Sequence, residues 1–209
     1  AKMCPEIDRC IVSTDSDEIA ETSKRYGGDV PFKRPADLAR SETSMWSVIR
    51  HALETMEEKE GKRYDFVALL DPTSPTRLPE DVREACRRLE ERPDADGIVS
   101  ISKPHYSPIW HTVVERAGWM VDFVPDAGRL ERRQDVQDVF QINGLLYIWK
   151  AEFIRAHPEG WRGFGKHLML PIQEGRATSI DDLEQFERMQ VLVRGGAIKL
   201  PWIEREAEP

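Results

Sequence analysis

Phe66-Val67-Ala68-Leu69-Leu70-Asp71-Pro72-Thr73-Ser74-Pro75-Thr76-Arg77 is the stretch whose reading decides the fold. Five consecutive apolar residues, 66–70, have the pattern of a central parallel strand covered on both faces, since a half-exposed strand alternates apolar with polar. A proline-bounded turn ends the run. Pro79 then opens a helix to about residue 92, at the first helical position, where the missing N–H is no loss. Working upstream, residues 41–60 read as a long helix with Val48, Ile49, Ala52, Leu53 and Met56 on one stripe. Residues 9–14 are a short β-branched run. They are followed by Asp15-Ser16-Asp17-Glu18, an N-cap with early acidic residues for a helix ending at Tyr26-Gly27-Gly28. Downstream, residues 97–101 and 145–149 read as strands and 181–193 as a last helix. Alternating strands and helices imply a three-layer α/β/α sandwich with a mostly parallel sheet. Ligands in such sheets bind at the carboxyl ends of the strands. Here those ends fall just after Thr14, Leu70, Ile101 and Ile148.

Residues 104–135 break the rhythm. Trp110, Val113 and Val114, then Ala117-Gly118, then Trp119, Val121 and Phe123 read as a β-hairpin appended to a single domain, 1–209. A hairpin is too small to bury both faces alone, so its aromatic residues are expected to pack against a second copy of the chain. The 209 residues are 40% hydrophobic and 33% charged, the balance of a soluble globular domain with its own core. A net charge of -8 disfavours nucleic acid as a partner, because phosphate-backbone binding relies on clustered Lys and Arg. No apolar run has the length of a membrane span. Three cysteines without a C-x-x-C pair suit a reducing, cytoplasmic setting.

Four segments lie at or near the strand ends: Val12-Ser13-Thr14-Asp15-Ser16-Asp17-Glu18-Ile19-Ala20, Pro31-Phe32-Lys33-Arg34-Pro35-Ala36-Asp37-Leu38-Ala39, the stretch from Leu69 to Arg77, and Arg132-Arg133-Gln134-Asp135 followed by 140–148. Together and in this order, with the late Ser179-Ile180-Asp181-Asp182, they resemble the acylneuraminate cytidylyltransferase family, from about Arg9 to Met189. The resemblance implies a nucleotide-diphospho-sugar transferase fold with a protruding dimerisation element. It implies CTP and a nine-carbon sugar acid as substrates, a CMP-sugar and pyrophosphate as products, and Mg²⁺ as cofactor. By the same resemblance Arg34 is expected at the nucleotide; Asp71, directly after the apolar run, and the hydroxyls of Thr73 and Ser74 in the proline-bounded turn are expected to face the same ligand. Arg133, Gln134, Asn143 and Gly144 are expected at the sugar. Asp71, Asp181 and Arg133 are the residues expected to carry catalysis.

Two departures qualify the match. The family opens with a strand and a Gly-rich basic loop that embraces the triphosphate, and nothing in these residues matches it. The expectation is therefore a chain that lacks its N-terminal phosphate-binding segment. The family's late aspartate pair is Ser179 and Asp181 here, while Asp71 stands where the family commonly has Gln. A carboxylate at Asp71 could restore the ligand count lost at Ser179, giving Mg²⁺ two carboxylates, Asp71 and Asp181. Plainer roles stay open: a turn cap before Pro72 for Asp71, an N-cap for Asp182, a solvated face for the two adjacent arginines. A non-catalytic relative that binds sugar or dimerises, or a transferase with another nucleotide or sugar, also stays open. His51, His105, His111, His157 and His167 show no metal-ligand spacing and read as structural or exposed.

Overall fold

The computed structural model describes residues 1–125 and 137–204. In chain order these hold α1 (Asp17–Arg25), α2 (Met45–Glu60), β1 (Phe66–Leu69), α3 (Pro79–Glu91), β2 (Gly97–Ser102), β3 (Val113–Arg116), β4 (Trp119–Asp122), β5 (Gln141–Lys150), α4 (Ala151–Ala156), β6 (His167–Pro171), α5 (Leu183–Arg194) and α6 (Pro201–Glu204). Four strands pair in the order β1-β5-β2-β6, and β3 pairs with β4 in a separate hairpin. The chain divides into two compact units. Ala1–Asp71, Arg77–Val99 and Leu146–Leu170 form the first; Pro72–Thr76, Ser100–Leu145 and Pro171–Pro209 form the second.

In the first unit the helices begin where their caps dictate. The Ser16 hydroxyl accepts from the Ile19 N–H and the Ser44 hydroxyl from that of Trp46, each meeting an amide that the helix leaves unpaired. Gly61 closes α2 in the left-handed conformation. At α3, Pro79 occupies the first helical position, and the Asp81 carboxylate reaches back to the Leu78 N–H at 2.7 Å. Trp46, Ile49 and Leu53 of α2 pack with Trp149, Ala151, Phe153 and Ile154 as a buried core. Trp149 is 1% exposed. Its ring stacks on Tyr147 at 5.3 Å and meets Trp46 edge-on at 5.1 Å.

Two expectations are corrected here. The 66–70 run is not a central strand. β1 is the edge of the named sheet, antiparallel to β5 with Phe66 opposite Lys150, and Phe66 is 44% exposed. An apolar run reports strand preference and a need for cover; it does not fix a strand's place in the order, which non-local pairing decides. Residues 9–14 are extended, but they pair only through isolated parallel bridges, Ile11 with Asp29 and Thr14 with Lys33. The sheet is thus mixed, with β5 running against β1.

The histidines of this core are structural. His157 stacks on Phe153, and His167 meets Phe153 and Trp161 edge-on at 5.3 and 5.2 Å. Burial pushes the His167 imidazole below its ordinary 6.5, with Asp96 opposing. A depressed histidine leaves stability whole above pH 6.5. As pH falls through that value, the unfolded chain takes up the proton first and stability is lost. The Tm of the wild type should therefore fall between pH 7.5 and 5.5, and that of His167→Phe should fall less. Equal slopes in thermal melts would contradict the assignment.

In the second unit, Ala117 and Gly118 carry φ of 53° and 83°, the two positive values that a two-residue hairpin turn requires. Arg116 lies opposite Trp119, Glu115 opposite Met120 and Val114 opposite Val121. The hairpin read from the sequence is present over 113–122; Trp110, read as part of it, precedes its first strand, and residues 126–135 of the 104–135 insertion lie outside the described residues. Trp119, Met120 and Phe123 are 76%, 80% and 59% exposed. Asp182 caps α5, accepting from the Gln185 N–H at 2.8 Å, as the sequence suggested for this residue.

Candidate functional site

In the first unit, Arg34 is held close to the chain. Its backbone N–H donates to the Thr14 carbonyl at 2.9 Å and its Nη2 to the Ser13 carbonyl at 2.8 Å. The Arg34 Nε and the Ser13 hydroxyl are both buried and, among the described residues, have no hydrogen-bond partner. An anchored guanidinium with an unmet donor suits an anionic ligand. Asp71 follows β1. Its carbonyl accepts from Arg77 Nη2. Burial lowers Arg77 to about 10, against the opposing pull of Asp71 and Asp81. Tyr147 is held above the usual phenol range by burial first and by Asp71 second, with Arg162 opposing. Arg77 and Tyr147 as neighbours of Asp71 were not foreseen. A buried arginine looks like any other in sequence, and Tyr147 read only as a core-strand residue.

In the second unit, the Pro72–Thr76 turn is pinned to the segment before α5. The Ile180 N–H donates to the Thr73 carbonyl at 2.7 Å. The Ser179 hydroxyl oxygen lies 3.2 Å from that of Thr73 and 3.1 Å from Asp181 Oδ1. A carboxylate only accepts, so Ser179 gives its single proton to Asp181 and takes one from Thr73. Thr73, Ser179 and Asp181 form a set of hard oxygen donors, the chemistry Mg²⁺ takes with one or two carboxylates. Among the described residues no group of three or more His, Cys, Asp or Glu side chains is placed to hold a metal ion. Any ion here would therefore complete its shell with water and ligand oxygens.

Ser74 stands next to Gly144, the residue that follows Asn143 in β5. Gly144 has a φ of +75°, and a Cβ there would stand 3.2 Å from the Ser74 hydroxyl oxygen, so glycine is required on both counts. The Ser74 hydroxyl and Asn143 Nδ2 are buried and have no hydrogen-bond partner among the described residues. Unmet buried donors are costly, and where they persist they mark sites that a ligand or water completes. Asn143 Oδ1 is engaged by the Ser100 hydroxyl at 2.6 Å and the Leu145 N–H at 3.3 Å. Ser100 was missed, although a signal exists: serines at 100 and 102 alternate within an apolar strand, and both are buried. Arg133 and Gln134 lie outside the described residues. Among the described residues no helix is long and apolar enough to cross a membrane.

No protein-family model matches the chain. Among curated proteins it is 32% identical, over 80% of its length and 69% of the relative's, to the CMP-N,N'-diacetyllegionaminic acid synthase of Legionella pneumophila. It is 30% identical, over 90% of its length and 78% of the relative's, to the pseudaminic acid cytidylyltransferase of Campylobacter jejuni. Among solved structures, a CMP:2-keto-3-deoxy-manno-octonic acid synthetase complexed with CTP superposes with a TM-score of 0.64 at 12% identity, covering 93% of this chain and 84% of that one. That similarity establishes the fold.

Proposed function

The chain belongs to the acylneuraminate cytidylyltransferase family of sugar-acid-activating nucleotidyltransferases, and from that premise we propose that it joins CMP to a nine-carbon sugar acid of the legionaminic or pseudaminic kind. The anomeric hydroxyl of the acid attacks the α-phosphorus of CTP in line. A new O–P bond forms, the bond to the β-phosphate bridge breaks, pyrophosphate leaves, and the hydroxyl proton passes to solvent. The observation that carries this reading is that the Ser74 hydroxyl, next to Gly144, and the Asn143 amide are buried donors without a hydrogen-bond partner among the described residues.

The residues divide the work by chemistry. Arg34, anchored through Ser13 and Thr14, suits the nucleotide's anionic end. Thr73 and Ser74 offer hydroxyls to the nucleotide. Asn143 and Gly144 take the sugar: the amide donates and the bare glycine permits close approach. Arg133 and Gln134 follow the family pattern for the sugar carboxylate and are assigned on sequence alone. Mg²⁺, when bound, would supply charge neutralisation at the triphosphate, and Asp181, which meets the Ser179 hydroxyl near Thr73, is the carboxylate assigned to it. Positioning and electrostatics then account for most of the catalysis.

Pyrophosphate release by the full polypeptide tests the reading, with CTP, UTP, ATP or GTP each paired with N,N'-diacetyllegionaminic acid, pseudaminic acid or N-acetylneuraminic acid. CTP-dependent turnover with one of these acids is expected. Turnover with another nucleotide only would reassign the base specificity, and Asp71 in place of the family's usual Gln would be the first residue to examine.

The reading extends to a homodimer through the hairpin and to a cytoplasmic location, which suits three unpaired thiols. Val114, Trp119 and Val121 share one face of the β3–β4 ribbon, and exposed apolar patches of this kind mark interfaces. Light scattering at tens of micromolar should give the dimer mass for the wild type and the monomer mass for Trp119→Glu. A monomeric wild type would rule out the assignment.

A further inference from the structure

The side-chain amide of Asn143 has a fixed polarity. The Leu145 N–H can only donate, so the amide atom it meets at 3.3 Å is the oxygen, and the NH₂ group is turned the other way. The Ser100 hydroxyl, 2.6 Å from the same oxygen, must then be donating to it. Ser100 lies in β2 and is 0% exposed, so its hydroxyl is shielded from competing water. Two donors thus saturate Oδ1. Nδ2 is left buried and, among the described residues, without a hydrogen-bond partner.

We infer that Ser100 is a positioning residue: its hydroxyl locks the Asn143 amide so that Nδ2–H is presented as a donor to an acceptor oxygen of the sugar acid. The inference deepens the proposed function and rests on that reading for the identity of the ligand. It does not rest on that reading for the lock itself. Without the hydroxyl, Oδ1 keeps only the longer bond to Leu145, and the amide can rotate about its terminal torsion, presenting an acceptor where the site needs a donor. Ser100 touches neither reacting atom in this account, so its effect falls on sugar-acid binding and leaves the nucleotide and the chemical step alone.

Three variants and two readouts test this. Ser100→Ala should raise the KM for the sugar acid about 3- to 10-fold, the worth of one hydrogen bond, with kcat and the KM for CTP unchanged within about two-fold. Ser100→Thr, which keeps the hydroxyl, should restore the wild-type KM. Asn143→Asp, which has no donor to offer, should raise it about 100-fold. The second readout needs no turnover. The Asn143 side-chain NH₂ should give two sharp, well-separated ¹⁵N–¹H signals in the wild type and in Ser100→Thr, and merged or broadened ones in Ser100→Ala. Unmoved signals in Ser100→Ala, or an unchanged sugar-acid KM, would overturn the inference. Loss of the signals in Ser100→Ala in a wild-type protein that forms no CMP-sugar would fault the functional reading and leave the positioning role standing.

Discussion

Asp181→Ala should lower kcat/KM for CTP by about 100-fold or more, the usual scale for losing one preorganised electrostatic contact to a reacting phosphate, while leaving Tm unchanged. Asp181 is exposed and its carboxylate meets the hydroxyl of Ser179, two residues away, so the fold loses little when it is removed. Its neighbour is the control. Asp182 caps α5, and Asp182→Ala should cost about 0.5–2 kcal/mol of stability, with kcat/KM held within a few-fold. One aspartate would thus affect activity without stability and the next stability without activity. If Asp182→Ala removes activity and Asp181→Ala does not, the ligand role belongs to the wrong member of the pair. Chelation with EDTA should abolish turnover in the wild type and Mg²⁺ should restore it.

The second large effect is on folding. Trp149→Ala should destabilise the first unit by about 3–5 kcal/mol, a sizeable share of what holds a domain together. The ring is 1% exposed and lies between Tyr147, Trp46 and Trp161, so its removal leaves a cavity that three rigid aromatic neighbours cannot close. Trp149→Phe should cost clearly less than its lost volume suggests. The indole N–H is buried and has no partner among the described residues, so its removal relieves an unmet donor while the phenyl ring keeps most of the packing. Denaturant melts should rank wild type, Trp149→Phe, Trp149→Ala in falling midpoint. Equal midpoints for the wild type and the alanine variant would mean that the aromatic cluster is not the core.

The fold was legible where local chemistry settles it. Ser16, Pro79 and Asp182 marked helix starts because each meets an N-terminal amide or fills a position where none is needed. Ala117-Gly118 marked the hairpin because only a few residue pairs tolerate two positive φ values. Strand order was not legible. Whether 66–70 lies at the centre or the edge of a sheet depends on partners far away in the chain, and the apolar run is the same in either place. The site divides along the same line. Thr73, Ser74, Asn143 and Gly144 could be named as candidates because the motif fixes them along the chain, and Ser74 and Asn143 carry buried polar atoms without a partner among the described residues. Ser100 and Arg77 escaped because their importance lies in what they touch: an amide oxygen 43 residues away and the Asp71 carbonyl beyond β1.

The most direct test of the whole account follows the α-phosphate. The full polypeptide is incubated with Mg²⁺, CTP labelled with ³²P at the α-position, and N,N'-diacetyllegionaminic or pseudaminic acid, and the products are separated by anion exchange. The account predicts that the label moves, in amounts matching pyrophosphate release, into a CMP-sugar that is formed only when the sugar acid is present and is lost in Asp181→Ala. Label that stays in CTP with every acid, or that leaves as free CMP at the same rate without any acid, would contradict it.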